Sequence, residues 1–297
     1  VESVEFSQLQ FAAQARELLN HGAPFMASAL LTMAATYLIR IILLQRLDVE
    51  AAGYFQAAWI LGGLYIAFVL DAMGADFFPR LTAVAQNNPE CNRLVNEQAE
   101  VGMLLAGPGA ISTLTLAPFV IHAFYSEQFG AAVGILNWIC LGMTLRVISW
   151  PMGYILVAKG RRTLFFWTEF FKNLVFVGLV WLGVGYFKLP GAGIGFFGMY
   201  VVYWTGIYFV VRQVSGFRWS WANRRLAFVF VPLTIFVFND DAFLPPSVLL
   251  PVNILITLLT GIYSVKKVCT LISLERFPSV VKKLLRFFRL APTDAKP

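Results

Sequence analysis

The chain has 297 residues, of which 59% are hydrophobic and 13% charged, whereas soluble domains run at about 45–50% and about 25%. With a mean hydropathy of +0.71, this excludes a soluble globular fold and predicts an all-α integral membrane protein. The net charge of +7 carries no nucleic-acid signature, because no compact basic domain accompanies it.

Residue 1 is Val, and no basic segment with a cleavage site precedes the first apolar run, so the start reads as a truncation. A lead-in at 6–19 mixes Phe11, Ala15 and Leu18 with Gln10, Gln14 and Glu17, the pattern of an interfacial helix. Eight apolar runs then follow, at 23–44, 54–73, 101–122, 133–158, 163–187, 192–211, 226–243 and 247–265. Each is close to the roughly 20 residues that cross a bilayer. The seventh is the weakest: its clean stretch, 226–238, reaches only about 20 Å at a rise of about 1.5 Å per residue, so a short or re-entrant segment is an alternative there. The polar stretch 74–100 reads as a loop with a short helix.

Basic residues set the expected sidedness, since cytoplasmic loops retain Lys and Arg. With both ends inside, 18 of the 23 Lys and Arg fall on the cytoplasmic side, while Arg46 and Lys188 lie outside and Arg40, Arg146 and Lys172 lie within spans. The segment 274–290 spaces Phe277, Val280, Val281, Leu284 and Phe288 at helical intervals among Lys and Arg, and is expected to rest on membrane lipids at the cytoplasmic face.

Ionisable groups inside spans normally face a cavity or a partner, because each costs a few kcal/mol in lipid. Arg146 lies near the middle of the fourth span, five residues before Pro151. Proline removes a helix donor and leaves the Val147 carbonyl unpaired, so the pair reads as a bent helix carrying a buried guanidinium suited to phosphate-like anions. Glu169 and Lys172 share a face of the fifth span at a spacing of three; either they neutralise one another or they line the cavity, Lys172 toward an anion and Glu169 in ion or proton coupling. Arg40 lies close enough to a span end to snorkel, and is the fourth candidate cavity residue. Gly107, Pro108 and Gly109 in the third span, with Pro151, are candidate hinge positions.

No Walker loop, Gly-x-Ser-x-Gly or His-Glu-x-x-His is present, and the three cysteines are isolated, so neither enzyme chemistry, a metal nor a cofactor is expected. Asp240 and Asp241 would suit a metal-dependent glycosyltransferase at the outer face, but adjacent acids in a short loop read as exterior charge.

Four stretches carry a family resemblance: Gly53-Tyr-Phe-Gln-Ala-Ala-Trp, Ala72-Met-Gly-Ala-Asp-Phe-Phe-Pro-Arg-Leu-Thr-Ala-Val, Leu94-Val-Asn-Glu-Gln, and Ser149-Trp-Pro-Met-Gly-Tyr-Ile-Leu-Val-Ala-Lys-Gly-Arg. They resemble the O-antigen and polysaccharide translocases of the multidrug/oligosaccharidyl-lipid/polysaccharide exporter superfamily, closely over 53–161 and more loosely to 212. The resemblance implies a two-bundle transporter of the bacterial inner membrane that flips undecaprenyl-pyrophosphate-linked glycans through a cationic cavity. On that expectation, 1–21 is a lead-in, 22–212 the second six-helix bundle, 213–273 an additional helix pair and 274–297 a basic tail, with an N-terminal bundle of the same protein as the missing partner. A drug or ion exporter of the same superfamily is the alternative, and a membrane glycosyltransferase or polymerase the third.

Overall fold

The computed structural model describes the backbone of residues 8–271 and the side chains of 22–271 other than those at 24, 65, 68 and 72. Among these residues there are eight α-helices and no strand: α1 (Gln8–Arg46), α2 (Val49–Ala83), α3 (Asn88–Phe124), α4 (Ala132–Ala158), α5 (Arg162–Phe187), α6 (Pro190–Ser215), α7 (Trp221–Phe238) and α8 (Pro246–Leu271). All eight are long and apolar enough to cross a membrane. The basic tail expected at 274–290 lies outside the described residues, as do the side chains of the lead-in.

The polar stretch 74–100 departs from expectation. It is not a loop but the ends of α2 and α3, which have 35 and 37 residues and so run about 50–55 Å each at about 1.5 Å per residue, beyond a hydrocarbon core of about 30 Å. Only 84–87 turns the chain. Its charges sit at helical intervals: Arg80 pairs with Asp76 at 3.0 Å, and Arg93 bridges Glu90 and Glu97. These i, i+3 and i, i+4 pairs mark a solvated helix. Asn87 caps α3, accepting from the Glu90 N–H at 3.3 Å, and Pro89 falls in the first turn, where its missing N–H has no helical partner to lose.

The helices run alternately up and down through short connections, so Arg80, Lys159, Arg212 and Arg224 gather at one end, the basic end. There Lys159 Nζ joins two turns, donating to Asn88 Oδ1 at 2.6 Å and to the Ala85 carbonyl. α4 is apolar on most of its circumference and packs against α6, α3 and α2, with Ile135, Leu136, Ile139, Met143 and Val147 buried. A helix with so little polar surface belongs at the centre. α5 packs on α6, and α1 on α5.

Glycines set the closest crossing. A Cβ on Gly191 would stand 2.2 Å from the backbone of Gly183, and one on Gly195 would stand 2.7 Å from the Val180 side chain. Small residues let membrane helices touch backbone to backbone. Gly191→Ala is expected to lower stability by roughly 3 kcal/mol, because neither backbone can move aside without parting α5 from α6; a thermal melt in detergent that matches the wild type would contradict this.

α7 is a continuous 18-residue helix beginning at Trp221, earlier than its apolar run suggested, with Ser220 as its cap. It gains the length to cross because Trp221–Arg225 extend its polar end. α7 and α8 both pack on α3, the Phe230 ring lying where a Cβ on Gly107 would fall, 2.5 Å away. A polar latch holds this addition. Asn96 donates to the Arg218 carbonyl at 3.1 Å, accepts from the Ser220 N–H at 2.8 Å and takes Asn223 Nδ2 at 2.9 Å. Asn92 and Ser215 exchange two further bonds of 2.8 Å. Asn96→Ala leaves the Ser220 N–H without its acceptor, while Asn223 Nδ2 keeps its second bond to the residue 96 carbonyl at 3.0 Å. The substitution should cost roughly 1–2 kcal/mol. Its check is the melting temperature, which must fall.

Candidate functional site

Four helices present one face each to a cavity of about 450 Å³. α5 contributes Phe165, Glu169, Lys172, Asn173 and Phe176; α4 contributes Arg146, Ser149, Trp150 and Gly153; α6 contributes Phe196, Met199, Tyr200 and Tyr203; α1 contributes Phe25, Ser28, Ala29 and Thr32. The three- and four-residue spacing in each set is that of a single helix face. Trp59 of α2 closes the wall, stacked on Phe176 with ring centroids 6.0 Å apart.

Glu169 is the structural centre of this cavity. It is 7% exposed, accepts from Ser28 Oγ at 3.0 Å and Tyr203 OH at 2.9 Å, and pairs with Lys172. Asn173 donates to the Glu169 carbonyl at 2.9 Å and to Thr32 Oγ1 at 3.4 Å. One carboxylate thus ties α1, α5 and α6. Three donors on two oxygens offset the cost of burying that charge, as a satisfied network must.

Arg146 differs. It lines the same cavity, lies against Met143 Sδ at 3.8 Å, and has no carboxylate partner among the described residues. The charged lining is Arg146 and Lys172 against Glu169, a net of one positive charge. Such a lining attracts an oxyanion, for which guanidinium supplies paired planar donors. The volume lies within the range of about 300–1,000 Å³ usual for small-ligand sites.

Of the four candidate cavity residues, the structure gathers Arg146, Glu169 and Lys172. Arg40 is not part of the lining; its Nε is buried without a partner among the described residues. Of the candidate hinge residues, Pro151 is buried within a continuous α4, and Ser149 Oγ bonds the Arg146 carbonyl at 3.1 Å one turn earlier. α3 also runs unbroken through Gly107, Pro108 and Gly109, and Ser112 and Thr113 hydroxyls bond the carbonyls of Pro108 and Gly109 at 2.7 and 2.8 Å. Asp240 is not exterior charge: it is 9% exposed and bonded to Asn253 of α8, which anchors the reversal between α7 and α8.

Ser28, Thr32, Asn173 and Tyr203 were not foreseen. Their signal was present as uncharged polar residues at helical spacing inside apolar runs, Ser28 and Thr32 four apart and Asn173 four after Glu169.

Residues 7–134 match the profile of a family described as polysaccharide biosynthesis protein. A search of curated proteins found no match. The matched segment holds Phe25, Ser28, Thr32 and Trp59 of the cavity, while Arg146, Glu169, Lys172 and Tyr203 lie beyond it. A partial match to a polysaccharide biosynthesis profile and an architecture of eight membrane-length helices among the described residues fit a transporter rather than an enzyme. Over residues 7–134, this multi-pass membrane chain is similar to a family of polysaccharide biosynthesis proteins.

Proposed function

We propose that the chain is one lobe of a translocase that moves undecaprenyl-pyrophosphate-linked oligosaccharide or O-antigen units across the bacterial inner membrane. In this reading both ends are cytoplasmic, 22–212 is the lobe, and 213–273 is a helix pair added to it. The observation that carries it is Arg146, a guanidinium without a carboxylate partner among the described residues, facing a cavity of about 450 Å³ beside Lys172 within an apolar bundle. A charge kept there against a cost of a few kcal/mol is kept for a ligand. The diphosphate is held by Arg146 and Lys172, and the glycan, too large for this cavity, lies in the space between this lobe and a second one supplied by the rest of the transporter. Rocking of the lobes exposes the site to each side in turn, with no covalent step.

Trp59 and Trp150 line the cavity and report on its contents. In lipid nanodiscs, inorganic pyrophosphate should change tryptophan emission saturably, and tetraphenylphosphonium should not. A response to the organic cation alone would instead support the drug-exporter reading.

A further inference from the structure

We infer that the lipid tail of a diphosphate-linked substrate leaves the cavity sideways, through a groove between α5 and α6. The inference rests on the cavity being a diphosphate site.

A second concavity, of about 290 Å³, lies between these helices. It is backed onto the cavity: Lys172, Met199 and Tyr203 line both. The rest of its wall is apolar except for Thr168, whose hydroxyl donates to the Phe165 carbonyl at 2.7 Å, with Trp167, Phe171 and Val202 being 47%, 55% and 51% exposed on the surface that would meet acyl chains. Gly206 belongs to this wall, and a Cβ placed there would have nothing within 4 Å. The helices are closed by backbone contact at Gly183 and Gly191, toward the opposite end, so the gap is confined to their basic half.

The partition between the two spaces is thin and made of side chains. The Lys172 ammonium stands 5.4 Å from the Tyr203 ring centroid, and both residues hold Glu169. A molecule with an anionic head and a hydrocarbon chain matches this arrangement part for part. The head meets Lys172 and Arg146 on the polar side, and the chain runs outward over Met199 along Phe171, Val202 and Gly206. A neutral lipid would leave the cations unused, and a soluble anion would leave the groove unused. The groove's occupant is the hydrocarbon chain of a lipid-linked diphosphate.

The test compares three probes on the chain in nanodiscs: inorganic pyrophosphate, a short isoprenyl diphosphate and a long one. The long compound should bind at least about tenfold more tightly than the short one, since each CH₂ moved from water onto an apolar wall adds to affinity, less what lipid competition takes back. Gly206→Phe fills the notch and should abolish that advantage while leaving pyrophosphate affinity unchanged; unchanged pyrophosphate affinity also certifies the fold. Val202→Trp, across the same groove, should act likewise and serves if the first variant misfolds. If pyrophosphate binds but the chain-length advantage is absent from the wild type or survives both substitutions, the groove is refuted and the diphosphate reading stands. Failure of the wild type to bind pyrophosphate would remove both. A change of oligomeric state in Gly206→Phe, with chain-length preference intact, would assign the groove to a second copy and overturn the proposal.

Discussion

Arg146→Ala should weaken pyrophosphate binding by roughly 10–100-fold, the effect of losing hydrogen bonds to a charged group of about 1.5–3 kcal/mol. The fold should tolerate it, because among the described residues the guanidinium contacts Met143 Sδ and no carboxylate there is stranded by its removal. Arg146→Lys keeps the charge but not the planar pair of donors, so its affinity should fall between those of the wild type and the alanine variant. Calorimetric titration of the three proteins separates these outcomes. Equal affinities in all three would mean that the guanidinium does not meet the anion.

The largest stability effect should come from the other side of the same cavity. Glu169→Ala removes the acceptor for Ser28, Lys172 and Tyr203 together and leaves a lysine buried without its counter-charge. Removing one partner of a buried pair costs roughly 3–5 kcal/mol, and access to the cavity places this case near the lower end. Lys172→Ala in addition should recover part of the loss, because no orphaned ammonium remains. A double-mutant cycle on thermal stability therefore expects the double variant to be more stable than Glu169→Ala alone. If the double variant is the less stable, the ion pair is not what holds the two residues together.

The first substitution acts on binding and the second on the fold, and the distinction runs through the lining. Glu169 already has its partners, and Arg146 waits for one. A ligand anion approaching Arg146 also meets Lys172, whose ammonium is shared between the carboxylate and the cavity. Ligand entry and the tie between α1, α5 and α6 are therefore coupled through one ammonium group, which is where a rearrangement of the bundle on binding would begin.

Much of the membrane architecture is written in composition, since eight apolar runs need only be counted and helices are the one open-chain solution in lipid. The helix ends are another matter. Arg80, Arg93 and Glu97 look like loop residues when tallied by charge, and their helical spacing emerges only when they are paired. Asn96 sits in a stretch singled out for its resemblance, yet its work, holding the α6–α7 connection, depends on residues more than a hundred positions away. In the cavity, Arg146, Glu169 and Lys172 were legible because ionised groups in apolar runs are costly. Ser28, Thr32, Asn173 and Tyr203 carry no charge and cost little, so only three-dimensional proximity separates them from ordinary helix-packing residues. Arg40 has the same chemistry as Arg146 and failed to join it for a reason no sequence spacing contains: the side chains that build the cavity wall from α1 come from Phe25–Met33, well below it along the helix.

A solvent-reachable anion site among these helices can be probed directly. Thr32→Cys, in a background where Cys91, Cys140 and Cys269 are alanine, places a thiol in the cavity wall. It should react with a membrane-impermeant thiol reagent, and saturating pyrophosphate should slow that reaction about tenfold, while a control cysteine at exposed Asp76 should be unaffected. A thiol at position 32 that is inert, or that reacts at the same rate with and without pyrophosphate, would contradict the account.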